Sequence, residues 1–379
     1  MILYLSEILI QYLSSLNVLR YVSTRTMAAF FTSLAITFVF FPMFIRFMER
    51  KRVKQPERPC VSERRCETPC PACKVIDKAN IPTMGGVLIM TAVLASCLLW
   101  CNLRNPLVLI TLISGAVFSM VGFIDDWMKV RDHDTKGLSG KLRLAVEFAV
   151  VLSLVGWFFV EKGAGTGYDL RLYIPFMSAE KYWIEMSIWA YMILASLLVV
   201  GTANATNLTD GMDGLAAGPI LSAAGVLLVM AYLTGAQLGK FDVSRYLLIP
   251  KVVGATELSV VCASVVGATI GFLFYNSHPA QIFMGDTGAL GLGAILGSVA
   301  LLTKNELISI LIFGIFFLEA MSVILQTTSF RLTGKRIFPI APIHHSFKRM
   351  GWPEEKIVVR FWIVSLLLAL IALGSIKVR

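Results

Sequence analysis

A series of ten long apolar stretches, spread along all 379 residues, is the feature that most constrains this chain. Each stretch is too long for a buried strand and lacks strand alternation, so each is predicted to be a helix. The stretches are 27–48, 84–101, 107–124, 142–160, 188–203, 215–234, 258–274, 287–303, 305–327 and 357–375. The sequence therefore predicts an all-α polytopic integral membrane protein, with ten transmembrane helices in a single membrane domain over residues 1–379.

The composition excludes the main alternatives. Hydrophobic residues make up 56% of the chain and charged residues 15%, with a mean hydropathy of +0.74. A soluble or disordered chain would carry more charge, and a single-anchor protein would not spread its apolar residues so evenly. The net charge of +10 indicates basic loops and an anionic ligand, and no nucleic-acid partner is expected.

Loop charges predict the orientation. The loops after the odd-numbered stretches hold 20 of the 34 Lys and Arg residues and are therefore predicted to be cytoplasmic. These loops are 49–83, 125–143, 204–214, 275–287 and 327–356. Both chain ends then lie on the opposite side. Residues 1–25 are interpreted as an interfacial amphipathic helix rather than a signal peptide, and 161–187 as a short outer hairpin.

Five aspartates converge on the predicted cytoplasmic face from three distant loops: Asp125, Asp126, Asp210, Asp213 and Asp286. Adjacent carboxylates at the end of an apolar helix repel each other and oppose the helix dipole, so a positive partner is expected. Mg²⁺ fits, because it takes one or two carboxylates together with phosphate oxygens. Simple interfacial anchoring of the helix ends is the alternative.

The loop from Asn204 to Gly214 combines amides, carboxylates and glycines. Asn204 and Asn207 can donate hydrogen bonds to a sugar, base or phosphate, and the glycines let the backbone approach a ligand. A capped turn before the next helix is the alternative. The run that contains Asp286 begins a helix, where the amides favour anions.

The last cytoplasmic loop is basic and carries two adjacent histidines, His344 and His345. On a helix they point about 100° apart and chelate one metal poorly, so hydrogen bonding to phosphate or proton transfer is favoured. An interfacial turn is the alternative. Glu319 lies inside the ninth stretch and is either functional or a buried structural acid.

Four cysteines in the first cytoplasmic loop, Cys60, Cys66, Cys70 and Cys73, lie within 14 residues. Disulfides are not expected in a reducing compartment. The cysteines are either plain thiols or ligands of a structural zinc ion, although only the last pair has the usual spacing.

Together these motifs resemble those of the phospho-N-acetylmuramoyl-pentapeptide transferases, within the polyprenyl-phosphate N-acetylhexosamine-1-phosphate transferases. The likeness covers nearly the whole chain from the first apolar stretch onward. The motifs are Pro82-Thr83-Met84-Gly85-Gly86, Asp125-Asp126-Trp127-Met128-Lys129, Asn204 through Gly214, Phe283-Met284-Gly285-Asp286 and Ala341-Pro342-Ile343-His344-His345.

The resemblance implies a ten-helix homodimer in the bacterial cytoplasmic (inner) membrane, with periplasmic termini, membrane lipids around it and a cytoplasmic-face active site. It implies Mg²⁺-dependent transfer of phospho-MurNAc-pentapeptide from UDP-MurNAc-pentapeptide to undecaprenyl phosphate. It also implies that Asp286 binds the metal, that Asp125 acts as the base with Asp126 as its partner, and that His344 is catalytic. The implied nucleotide-sugar positions are Lys78, Thr83, Lys129, Asn204, Asn207, Asp210, Asp213, Asn276, Phe283, Gln326 and His345.

Two features depart from the family pattern. The family usually has three consecutive histidines, whereas this chain has Ser346 in the third position, and the four-cysteine loop is an addition. If His344 and His345 carry the role, Ser346 is tolerated. The remaining alternatives are a sibling that transfers GlcNAc-1-phosphate from UDP-GlcNAc and, more remotely, an ion-coupled transporter. A transporter would require mid-membrane acids and inverted repeats.

Overall fold

The computed structural model is mostly helical. It describes residues 2, 14–51, 53, 81–132, 137–162, 168–239 and 241–376. Within those ranges, nine helices are long and apolar enough to cross a membrane. The predicted class, a polytopic helical membrane protein, is therefore confirmed.

The described elements follow one another along the chain in this order. A 3-10 helix, Ser14–Arg20, precedes the first α-helix. The helices are α1 Val22–Arg50, α2 Gly86–Trp100, α3 Pro106–Arg131, α4 Gly140–Trp157, α5 Ile188–Thr209, α6 Ala217–Gly235, α7 Val243–Tyr246, α8 Thr256–Asn276, α9 Gly285–Leu302, α10 Ser309–Ile312, α11 Gly314–Thr333, α12 Ile343–Arg349 and α13 Glu354–Gly374. The strands are β1 Arg171–Tyr173, β2 Trp183–Glu185, β3 Gln237–Leu238 and β4 Phe241–Asp242.

Each predicted apolar stretch contains a helix, but the boundaries differ. Helix α2 is only 15 residues long, and the stretch 305–327 is divided at Phe313 into α10 and α11. In the predicted interfacial helix 1–25, the structure has a 3-10 helix at Ser14–Arg20 and the start of α1 at Val22, while residues 1 and 3–13 lie outside the described residues.

All five predicted cytoplasmic loops begin inside helices, by two residues at 49 and 275 and by more at 125, 204 and 327, which corrects their boundaries. Helix α3 continues to Arg131 and α5 to Thr209, so 125–131 and 204–209 are helical. In the loop 327–356, α11 extends to Thr333. Hydropathy marks where apolar side chains stop, whereas the helix continues as long as its polar side chains find partners in the protein.

The centre of the bundle is formed by α8 and α9. Helix α9 packs against α2, α3 and α5, while α8 packs against α1 and α6. Most residues of α8 and nearly all residues of α9 are buried. Both sequences are rich in glycine, alanine and serine, which lets helices approach closely inside a bilayer. The first turn of α9, which carries Asp286, is therefore held by three neighbours.

The predicted hairpin within 161–187 is present. Strands β1 and β2 pair antiparallel, with Leu172 opposite Ile184. Lys304, buried after α9, donates to the Asp169 carbonyl and to the Tyr191 hydroxyl, each at 3.1 Å. It also pairs with Glu306 at 3.0 Å. This cluster fastens the hairpin to the helical bundle.

Glycine at the start of α2 is required by a close backbone approach. A Cβ on Gly86 would lie 2.1 Å from the backbone nitrogen of Gly288, whereas a Cβ on Gly225 meets nothing within 4 Å. We expect Gly86→Ala to lower the free energy of unfolding by about 1–3 kcal/mol, because backbone atoms must move. Gly225→Ala should be neutral or slightly stabilising, because alanine favours the helix. Thermal unfolding in detergent compares the two; equal effects would contradict the close approach.

Candidate active site

Asp126 holds the beginning of α9 from a neighbouring helix. Its carboxylate accepts hydrogen bonds from the backbone nitrogens of Asp286 at 3.1 Å and Thr287 at 2.9 Å, and from the Thr287 hydroxyl at 2.7 Å. The first amides of a helix have no partner within the helix and attract negative charge. Asp126 therefore satisfies these amides and fixes the position of Asp286 relative to α3.

Lys129 joins the other two carboxylates of this region. Its ammonium lies 2.5 Å from Asp125 Oδ2, one turn back on α3, and 2.8 Å from Asp286 Oδ2. The second oxygen of Asp125 accepts a hydrogen bond from the Leu138 nitrogen at 2.5 Å. Two carboxylates thus meet around one ammonium, as expected for acids that share a positive charge.

Arg143 and Glu147, in the first turns of α4, belong to the same cluster and were not predicted as site residues. Arg143 Nη1 lies 3.6 Å from Asp286 Oδ2, and Nη2 donates to Asn204 Oδ1 at 3.1 Å. Asn204 Nδ2 in turn donates to Glu147 Oε2 at 2.5 Å. The sequence feature that could have indicated these two residues is their spacing. An Arg and a Glu four residues apart lie on one helix face, and this pair follows the acidic segment.

The segment around Thr83 pairs with the segment around Phe283. Phe283 N donates to the Pro82 carbonyl at 2.9 Å, and Gly85 N donates to the Phe283 carbonyl at 2.8 Å. Thr83 is buried and Phe283 half-buried. Two motifs that are distant in sequence are therefore adjacent, directly before α9.

Asp213 lies in a second group of polar residues. Its Oδ2 lies 3.1 Å from His278 Nδ1 and accepts a hydrogen bond from Ala280 N at 3.3 Å. Asp213, His278 and Glu354 bring one ligand atom each within 4.8 Å of one another, so the group could hold a metal ion. Glu354 is also paired with Lys348, just as Asp286 is paired with Lys129.

Two predicted pocket residues use their amides to hold the backbone. The buried Asn276 accepts from Gly214 N at 2.9 Å and donates to the Ile282 carbonyl at 2.8 Å. Gln326 donates to the Phe338 carbonyl at 3.0 Å and accepts from Phe338 N at 2.9 Å. In this structure both residues order the loops of the site.

The three residues at the family's histidine positions face different surroundings. His344 is fully buried, and its Nδ1 lies 3.2 Å from Glu319 Oε2. His345 is partly exposed, and the centroids of the His344 and His345 rings are 4.2 Å apart. The buried Ser346 hydroxyl donates to the Ile340 carbonyl and accepts from Ile340 N at 3.2 Å. The third position therefore supports the loop backbone.

The remaining predicted residues divide into two sets. Asn207 and Asp210 are partly exposed at the end of α5, next to the exposed Gly211. Lys78 and the four loop cysteines, Cys60, Cys66, Cys70 and Cys73, lie outside the described residues. Their predicted roles in nucleotide binding and zinc binding stay predictions.

Removing the Asp126 carboxylate tests how the start of α9 is held. We expect Asp126→Ala to lower the free energy of unfolding by about 1–3 kcal/mol for each buried donor left unsatisfied. Asp132→Asn, at the exposed end of the same helix, is the matched control and should change stability by less than about 0.5 kcal/mol. Thermal unfolding in detergent measures both, and an unchanged Asp126→Ala protein would contradict this role.

Comparisons with known proteins agree with this arrangement. The model of glycosyl transferase family 4 matches residues 108–304, and signature 1 of phospho-N-acetylmuramoyl-pentapeptide-transferase matches residues 78–90. A phospho-N-acetylmuramoyl-pentapeptide-transferase of Sorangium cellulosum (strain So ce56) is 46% identical over 372 residues, covering 97% of this chain and 96% of the relative. The protein of that name from Anaeromyxobacter sp. (strain Fw109-5) is 44% identical, covering 96% of each chain. The chain therefore belongs to glycosyl transferase family 4, and within it to the phospho-N-acetylmuramoyl-pentapeptide-transferases.

Proposed function

We propose that this protein transfers phospho-MurNAc-pentapeptide from UDP-MurNAc-pentapeptide to undecaprenyl phosphate. The lipid phosphate oxygen attacks the phosphorus attached to the sugar, the pyrophosphate bond to UMP breaks, and UMP leaves. The product is undecaprenyl-pyrophosphoryl-MurNAc-pentapeptide. The relatives that share 42–46% of its residues over nearly the whole chain carry the name of this activity.

The observation that carries the proposal is the cluster of Asp125, Lys129 and Asp286. Phosphoryl transfer is accelerated mainly by positioning and by neutralising charge on the transferred group. Lys129 and Arg143 supply fixed positive charge beside Asp286. Asp125 has both oxygens engaged, by Lys129 and by Leu138 N. This favours a role in holding charge in place over a role as a free base.

The residues present fit the Mg²⁺ ion that the family implies. Asp286 and Asp125 offer hard oxygen ligands, and the Lys129 ammonium lies against both, so the two carboxylates face one position that accommodates positive charge. Asp286 would hold the ion, which would neutralise pyrophosphate oxygens when bound. Asp126 has a different task, because its oxygens are bonded to the start of α9.

The protein's placement follows from the same proposal. The chain is a multi-pass membrane protein, and we infer that α2, although 15 residues long, crosses as the tenth span. Under this proposal the acidic cluster lies on the cytoplasmic face of the bacterial inner membrane and both termini are periplasmic, which the excess of Lys and Arg in the loops of that face supports. The family resemblance also implies a homodimer.

Ser346 is compatible with activity under this proposal. Its hydroxyl is bonded on both sides to the Ile340 backbone, so it has a structural partner rather than a substrate-facing position. Under this proposal, His344 and His345 have the role that the family resemblance implies for the histidine positions.

Release of UMP by the purified protein tests the proposal. Turnover is expected with undecaprenyl phosphate, UDP-MurNAc-pentapeptide and Mg²⁺, and is expected to stop in EDTA. Asp286→Ala should lower kcat by at least about 100-fold, because the proposed metal ligand is lost, while the melting temperature is retained. Asp132→Asn is the control and should turn over normally.

Parallel reactions with UDP-GlcNAc separate this activity from its sibling. Turnover with UDP-GlcNAc in place of the muramoyl substrate would move the protein to the GlcNAc-1-phosphate branch. A folded protein inactive with both substrates would overturn the proposal.

A further inference from the structure

The buried pair Glu319 and His344 is not explained by the proposed reaction. Both side chains are fully buried, and Glu319 Oε2 lies 3.2 Å from His344 Nδ1. Neither carboxylate oxygen and neither ring nitrogen completes a hydrogen bond within the part of the chain that the structure describes. Unsatisfied buried polar groups are rare in proteins and often have a functional cause.

Other buried glutamates of the described residues differ from Glu319. Glu257 accepts two hydrogen bonds from Arg25, Glu147 accepts one from Asn204, and Glu306 accepts one from Tyr191. Each therefore has a structural partner that satisfies part of its charge. Glu319 has only the close contact with His344, so its role depends on that histidine.

Apolar residues adjoin both members of the pair along the chain. Ile315, one turn before Glu319, belongs to one hydrophobic cluster with Met212, and Ile343, next to His344, packs against that cluster. Buried ion pairs are weak evidence of stabilisation, since apolar residues of similar volume often stabilise a protein as much or more. A purely structural role gives no physical reason to keep a carboxylate here.

His344 connects Glu319 to the loop of the site. A Cβ on Gly211 would lie 2.3 Å from His344 Nε2 and 2.9 Å from Cε1. The edge of the imidazole ring thus lies directly beneath the exposed Gly211, between Asp210 and Met212. A rotation of the ring would displace this loop. Asp210 and Asp213 of the loop belong to the proposed substrate pocket.

We propose that Glu319 is a positioning residue for the transfer reaction and acts through His344. Its carboxylate lies at Nδ1 and accepts the proton of that nitrogen in a hydrogen bond. This fixes the tautomer and orients Nε2 towards Gly211. Carboxylates orient histidines in this way in metal sites and in hydrolases. The contact is loosely aligned in the substrate-free protein and tightens when substrate binds over the Asp210–Gly214 loop, as catalytic hydrogen bonds often do.

The inference rests on the proposed transferase function, and the UMP-release assay tests both. Glu319→Gln keeps the side-chain volume but lets an amide face Nδ1, which favours the wrong tautomer. We expect kcat to fall by about 10–100-fold, the magnitude typical of lost orienting partners. KM for the nucleotide substrate should change by less than about three-fold, because Glu319 does not touch substrate.

A double variant separates positioning from a general structural effect. If Glu319 acts through His344, then Glu319→Gln should cause no further loss of kcat in a protein that already carries His344→Gln. Multiplied losses in the double variant would overturn the inference. A normal kcat in Glu319→Gln, or a loss matched by an equal rise in KM and a lower melting temperature, would overturn it as well.

Two further variants complete the design. Glu306→Gln makes the same chemical change in the cluster around Lys304 and should leave kcat within about two-fold of the unsubstituted protein. If Glu319→Gln is not recovered folded, Glu319→Met replaces the carboxylate with an apolar chain of similar length, and the same loss of kcat is expected. An inactive unsubstituted protein would refute the transferase proposal, whereas an active one with an equally active Glu319 variant refutes this inference alone.

Discussion

The contact between Asp126 and the first turn of α9 is the constraint on which the rest of the site depends. Asp286 can meet Lys129 and Arg143 only if α9 begins at a fixed height beside α3. Three hydrogen bonds to one carboxylate set that height. The glycine contact between α2 and α9 sets the lateral distance. The site is therefore positioned by the packing of buried helices, and the loops then add the residues that enclose it.

The sequence predicted the fold class well because membrane helices leave a strong composition signal. Each apolar stretch contains a helix, and the hairpin over Arg171–Glu185 lies where glycines and a proline interrupt that signal. Helix ends were predicted less well. Asp125, Asp126 and Asn204 were assigned to loops but lie on helices, because their partners are protein groups that hydropathy does not register.

The sequence predicted which aspartates form the acidic cluster but not the separate role of each one. Convergence of Asp125, Asp126 and Asp286 followed from the span count, since every second loop returns to one face. The different roles of Asp125 and Asp126 depend on which backbone amides lie opposite each carboxylate. Only the three-dimensional arrangement of the helices determines this. Arg143 was missed because an Arg and a Glu four residues apart are also common as ordinary ion pairs on exposed helix faces. Glu319 was noticed as an intramembrane acid, but its partner lies 25 positions later, on another helix.

The bonding of Ser346 has a consequence for recognising such chains. A hydroxyl that both donates to and accepts from one backbone residue performs a local task, and a small polar side chain suffices for it. Natural sequences can therefore drift at this position without changing the chemistry beside it. A search pattern that demands three successive histidines would discard this chain, whereas one built on Asp126, Asp286 and Thr287 would retain it.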